Sequence, residues 1–259
     1  MSSQNGKEQE LFLQSSTATV PSLPLQVASH DEEKDVMVKP AADKTGDVQK
    51  TVEERDWAHP RKGQNVEWTS TQYEQRLQKI AGAVRTIIEC IGEDPEREGL
   101  RETPERYAKA MMHFTQGYRQ NVQELVNGAV FREDHDEIVI VKDIDIFSLC
   151  EHHMVPFTGK MHFGYIPHKQ VMGVSKLARI AEMFSHRLQI QERLTRQAAL
   201  AIWEDLAPKG VAVIMESTHL CMAMRGVQKV GSSTTTTSML GCIKTDLGIR
   251  EEFLRLVNR

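Results

Sequence analysis

Ile138-Val-Ile-Val-Lys-Asp-Ile-Asp-Ile146 and, after a turn, Gly159-Lys-Met-His-Phe-Gly-Tyr-Ile166 are the segments that decide the fold. β-Branched residues crowd the first, as a half-buried pleated surface favours, and the second reads as its hairpin partner. An antiparallel sheet therefore begins here. Downstream the pattern predicts two helices, about 175–187 and 191–206, and then an apolar strand from Val211 to Met215. A threonine-dense strand from Ser233 to Leu240 and a closing helix from Arg250 to Val257 follow. This order predicts an α+β fold with an antiparallel sheet backed by helices, rather than a parallel doubly wound sheet.

Upstream of the sheet the apolar period changes. Leu77, Ile80, Ala81, Val84, Ile87, Ile88 and Ile91 recur at spacings of three and four from Ser70 onward, which predicts an amphipathic helix ended by Gly92. Gly92 to Gly99 is a charged loop. Thr103-Pro104 then reads as an N-cap and a proline in the first turn of a second helix reaching about Gln116. Residues 1–68 are polar, with scattered proline and no sustained apolar period, and are expected to form a disordered tail. Within it the run Leu11-Phe12-Leu13 is read as having no docking partner. The expected organisation is a tail over 1–68 and one domain over 69–259, helical to 125 and sheet-bearing from 126.

Composition narrows the function. A formal charge of -4 and a pI near 6.2 argue against a general polyanion binder, so nucleic acid is not an expected partner. No apolar run approaches the roughly 18 residues that span a bilayer, and no secretion signal opens the chain. Four cysteines in 259 residues are too few for a disulfide-stapled scaffold, which points to a reducing, cytoplasmic setting.

Cys150-Glu-His-His153 offers a thiolate and an imidazole three positions apart, a spacing that suits zinc. A CxxH pair needs a third ligand. Cys221, just beyond the Val211 strand in Ser217-Thr-His-Leu-Cys-Met222, is the best candidate. Cys90 and Cys242 read as structural. Two cysteines and one histidine leave a tetrahedral position open for water, as in catalytic zinc sites, where the metal lowers the water pKa to about 7. Neighbouring residues of an extended chain point to opposite sides, so His152 and His153 should not share a role. If 217–225 is extended, His219, Cys221 and Arg225 lie on one face and His219 stands beside the metal.

Four motifs together resemble the GTP cyclohydrolase I family. They are Ser148-Leu-Cys-Glu-His-His153, Gly173-Val-Ser-Lys-Leu-Ala-Arg179, Arg187-Leu-Gln-Ile-Gln-Glu-Arg-Leu-Thr195 and His219-Leu-Cys-Met-Ala-Met-Arg-Gly-Val-Gln228, in that order along about residues 70–259. The resemblance implies the tunnelling fold, zinc on Cys150, His153 and Cys221, and His152 and His219 as proton-transfer residues. It implies hydrolysis of GTP at C8, release of formate, and rearrangement to 7,8-dihydroneopterin triphosphate at the start of folate or tetrahydrobiopterin synthesis. It also implies a toroidal homodecamer with sites at subunit boundaries, so that Arg106 and Lys109 come from a neighbouring chain.

The triphosphate requires cations. Arg106 with Lys109, and Lys176 with Arg179, are i,i+3 pairs on predicted helices, and the family places these four and Arg225 around the phosphates. Ser175 reads as an N-cap whose helix start can receive phosphate oxygens. Glu192, with Gln191 assisting, is expected to accept the N–H donors of guanine. A non-catalytic, zinc-stabilised nucleotide-binding subunit is the rival reading. A zinc deaminase is a second, remote enzymatic rival, since its typical HxE and PCxxC pair is missing.

Overall fold

A computed structural model describes residues 68–259. The expected disordered tail and the Leu11-Phe12-Leu13 run lie outside the described residues. Helix α1 (Ser70–Cys90) opens with a capping box, in which the Thr69 hydroxyl accepts from the Gln72 N–H and the Gln72 side chain accepts from the Thr69 N–H. It packs on α2 (Thr103–Phe114), and Val84 and Ile88 of the first and Ala108, Met111 and Met112 of the second are buried. Of the predicted apolar stripe, Ile87 and Ile91 remain 58% and 71% exposed on the single chain. Glu102, not Thr103, occupies the cap position of α2, and Thr103 is the first helical residue. Pro104 still sits within the first turn, whose N–H groups lack helical acceptors.

After a short α3 (Val122–Val126) come β1 (Val130–Arg132), β2 (Val139–Cys150), β3 (Pro156–Ile166) and β4 (Gln170–Met172). Then follow α4 (Val174–Ser185), β5 (Leu188–Gln189), α5 (Gln191–Leu206), β6 (Gly210–His219), α6 (Leu220–Ala223), β7 (Thr234–Gly241), α7 (Cys242–Thr245) and α8 (Leu247–Val257). The main sheet has the order β5-β2-β3-β6-β7, and β1 and β4 form a separate antiparallel pair. Only β5 departs from the expected antiparallel pattern, running parallel to the end of β2 through Leu149↔Leu188 and Cys150↔Gln189. α4 begins at Val174 with Gly173 in the cap position, so Ser175 is inside the first turn and does not cap it.

Strand β6 is covered on both faces. Val211, Val213 and Met215 join the larger core with Phe157, Phe163 and Tyr165 of β3 and with Leu177, Ile180, Leu194 and Ile202 of α4 and α5. Ala212 and Ile214 point the other way, into a second core with Ile243, Phe253 and Val257. A strand buried on both sides reads as an unbroken apolar run, as 211–215 does. Among the described residues no helix is long and apolar enough to cross a membrane.

Gly159 is demanded by the sheet. A Cβ there would lie 2.0 Å from the Glu216 carbonyl oxygen and 2.6 Å from Ser217 Cα, backbone atoms of β6 that no rotamer change can move. Gly159→Ala is expected to destabilise the protein by about 1–3 kcal/mol, the usual range for overpacking. Urea unfolding at fixed protein concentration checks this, and a wild-type midpoint would contradict the assigned β3–β6 contact.

Candidate active site

Strand β2 ends at Cys150, and the chain turns back immediately. The Cys150 N–H donates to the Val155 carbonyl at 3.0 Å and the Met154 N–H to the Cys150 carbonyl at 2.8 Å, with Met154 at φ 53° closing the turn. The Glu151 N–H donates to the Gln189 carbonyl, extending the β2–β5 pairing by one step. Glu151 also forms a two-point ion pair with Arg193 on α5, Nη1 to Oε2 at 2.5 Å and Nη2 to Oε1 at 3.2 Å. That hydrogen-bonded guanidinium holds the Glu151 carboxyl below its usual range. The Cys150 turn is thus tied to the first turns of α5.

The other half of the site comes from the end of β6. Strand pairing runs out at Phe157↔His219 on one side and Ser217↔Thr234 on the other. Beyond His219 the backbone has no strand to bond to, and Leu220–Ala223 satisfies itself as one helical turn. The expectation of an extended chain over 217–225 is therefore corrected: Cys221 and Arg225 are presented by a helical turn and its exit, not by strand parity. Even so, Cys221, His219 and Cys150 offer ligand atoms that all lie within 4.8 Å of one another. Cys150 is buried and Cys221 half-buried.

These donors fit a soft divalent cation. Burial, and then the neighbouring Cys150 sulfur, push the Cys221 thiol above its ordinary value, so two thiolates at this spacing call for a compensating positive charge. His153 stands outside the group, its Nε2 accepting from Arg225 Nη1 at 2.7 Å on the exposed rim. His152 is exposed as well, with Nδ1 3.7 Å from the Cys150 sulfur.

His219 is held more firmly. Its ring stacks on Phe157 with centroids 4.6 Å apart and planes 6° from parallel, and its Nε2 lies 3.0 Å from Gln191 Oε1. Burial lowers its proton affinity, while the charge of Glu192 works in the opposite sense. Glu192 itself is exposed in the first turn of α5, next to the buried Gln191. Gln191 is 1% exposed, and its amide bonds to the Met215 and Thr234 carbonyls, Ser217 Oγ and His219. The expected contact of the Gln191 side chain with guanine is corrected accordingly, since its hydrogen-bonding groups are engaged within the protein.

The cations expected for the triphosphate are only partly gathered. Arg225 joins the rim through His153. On α4, Arg179 is exposed, and Lys176 Nζ donates to the Leu125 carbonyl at 2.7 Å. Arg106 pairs with Glu102 at 2.9 Å, Lys109 is exposed, and no hydrogen bond or ion pair among the described residues links either to the thiol group. Sequence reasoning missed Phe157, Ser217 and the Glu151–Arg193 pair. Glu151 stood inside a quoted motif, but only the α5 geometry gives it a partner, and the Phe157 stack follows from strand register alone.

The model of the GTP cyclohydrolase I family matches residues 80–258. GTP cyclohydrolase 1 of Neurospora crassa is 57% identical over 222 residues, covering 85% of this chain and 71% of that protein. The Saccharomyces cerevisiae enzyme of the same name is 55% identical over 210 residues, 80% of this chain and 86% of that one. The human one is 57% identical over 184 residues, 71% and 74% of the two chains. With a sheet, two neighbouring thiols and a half-buried imidazole all lying inside the matched span, the chain belongs to the GTP cyclohydrolase I family.

Proposed function

We propose that the chain opens the imidazole ring of GTP at C8, releases formate and yields 7,8-dihydroneopterin triphosphate, the entry to pterin synthesis. The observation that carries this is the meeting of Cys150, Cys221 and His219 within 4.8 Å, with the charge of Glu192 acting on the His219 ring. Zinc is the metal these thiols suit, and when bound it supplies activation of the attacking water. Cys150, Cys221 and His153 would hold it. His153 lies on the same turn as Cys150 and is restrained in the structure by one exposed hydrogen bond, to Arg225. His219 is instead committed to Gln191 and Phe157, which supports a proton-transfer role for it, with His152 beside Cys150 as the second such group. A second reading, with His219 as third ligand, is favoured by its distance to the thiols.

Glu192 would accept the N1–H and amino donors of guanine, and adenine, with an acceptor in place of N1–H, is rejected. Ser175, Lys176, Arg179 and Arg225 would meet the triphosphate, joined by Arg106 and Lys109 of a neighbouring copy. Assembly is supported by the sheet itself. β7 lies at one edge, and β2 is covered at the other only over the two residues paired with β5. Pairing of one copy's β2 with the next copy's β7 is a head-to-tail contact that closes into a ring, consistent with a homodecamer of two such rings. Four free thiols accord with a cytoplasmic enzyme.

Zinc-loaded protein incubated with GTP is expected to release formate and a fluorescent pterin in equal amounts. Zinc retention without either product would support a binding subunit instead. In metal analysis, Cys221→Ser and His153→Ala are expected to lose zinc, whereas His152→Ala and His219→Ala keep it while turnover falls by about 10²-fold or more. Zinc lost from His219→Ala and kept by His153→Ala would assign His219 as the third ligand. Glu192→Gln, which exchanges a charged acceptor for a neutral amide, is expected to raise the KM for GTP by roughly 10-fold or more. An unchanged KM would remove Glu192 from base recognition.

A further inference from the structure

The amide of Gln191 has no ambiguity about which end is which. One terminal atom lies 3.0 Å from the Met215 carbonyl oxygen and 2.8 Å from the Thr234 carbonyl oxygen. Carbonyl oxygens only accept, so the atom between them is the NH2 nitrogen, and both its hydrogens are used. The other terminal atom is therefore the oxygen. It accepts from the Ser217 hydroxyl at 2.7 Å and faces His219 Nε2 at 3.0 Å. An amide oxygen cannot donate, so the imidazole must. Turning the ring over would set a carbon against this oxygen, which removes the bond instead of reversing it.

We infer that Gln191 is a positioning residue that fixes His219 in the Nε2–H tautomer, leaving Nδ1 as the nitrogen free to accept a proton or a hydrogen bond. The inference rests on the proposed proton-transfer role of His219, not on Gln191 touching substrate. Three elements meet in the device: α5 supplies the glutamine, β6 supplies Ser217 and the Met215 carbonyl, and β7 supplies the Thr234 carbonyl. Phe157 of β3 fixes the remaining freedom by stacking on the ring at 4.6 Å. Gln191 is itself 1% exposed and Ser217 2%, so no water competes for these bonds. The imidazole is thereby set in both rotation and proton location before any substrate arrives, which is the form of preorganisation that raises turnover rather than binding.

Two measurements test this on the zinc-loaded oligomer. In 15N spectra of histidine-labelled wild-type protein, with His219 assigned by comparison with His219→Gln, the hydrogen is expected on Nε2 and not on Nδ1. A hydrogen on Nδ1 overturns the inference whatever the variants do. Gln191→Met keeps the volume and removes every hydrogen bond of the side chain. It is expected to lower kcat for GTP by roughly 10- to 100-fold, the scale of a misplaced catalytic group, with KM within about twofold and zinc content unchanged. A raised KM with wild-type kcat would instead make Gln191 a substrate contact and overturn the positioning role. If wild-type protein gives no formate from GTP, the parent reading fails, and the 15N spectrum still decides the tautomer on its own.

Discussion

Ten consecutive backbone pairs between β3 and β6, from Phe157↔His219 to Ile166↔Gly210, are what the site depends on. Cys150 and Cys221 are remote in sequence, and no local preference brings them together. They meet because the Cys150 turn feeds β3, β3 fixes the register of β6, and β6 ends where β3 began. A slip of one residue would invert every side chain of β6. His219 would leave Phe157, and Val211, Val213 and Met215 would leave the core they share with α4 and α5. Burial of those residues therefore enforces the position of His219, because both are written on the same strand at the same parity.

Two kinds of support then divide the site. On the inner side, Gln191, Ser217 and Thr195 are buried polar residues whose hydrogen bonds are all made within the protein, among them Thr195 Oγ1 to the Gln191 carbonyl at 2.8 Å. Such a network is costly to disturb, because any broken member leaves an unsatisfied group in a region of low dielectric. On the outer side, His152, His153 and Arg225 are exposed. The Glu151–Arg193 pair restrains that turn, but with side chains 31% and 26% exposed it is worth far less than a buried contact of the same geometry. The rigid half holds His219, the proposed proton-transfer group. The looser half holds His153, which the proposed metal would draw toward Cys150.

Much of this was legible in one dimension, and the exceptions have physical reasons. Apolar period marked α1, β-branched content marked β2, and an unbroken apolar run marked β6, because each presents a face or a pair of faces to a core. Cys150 and Cys221 were legible because few residue types bind metal through sulfur. The extended reading of 217–225 failed because parity presumes a partner strand, and pairing ends at His219. Ser175 resembled a cap by type, yet Gly173 follows the short β4 so closely that the helix begins two residues earlier than a Ser175 cap would set it. The internal hydrogen bonds of Gln191 were not legible. Its neighbour Glu192 is exposed, and only the packing of α5 across β6 and β7 shows that 191 points into the protein while 192 points out.

The scattered cations fit the same logic. A triphosphate held by side chains of one small domain would require several guanidinium and ammonium groups converging in the free protein, where their mutual repulsion opposes folding. Here Arg106 pairs with Glu102 on its own helix, and the Lys176 ammonium is anchored on the Leu125 carbonyl, so neither is turned on Arg225. Distributing the proposed phosphate contacts over separate elements, and in the proposed ring over separate copies, would delay their convergence until assembly and the arrival of a polyanion compensate it. The exposed Ile87 and Ile91 of α1 belong to the same helical pair that carries Arg106 and Lys109. Apolar surface that drives that pair onto a neighbour would deliver those two cations in the same step, which makes completion of the proposed site a consequence of burying α1.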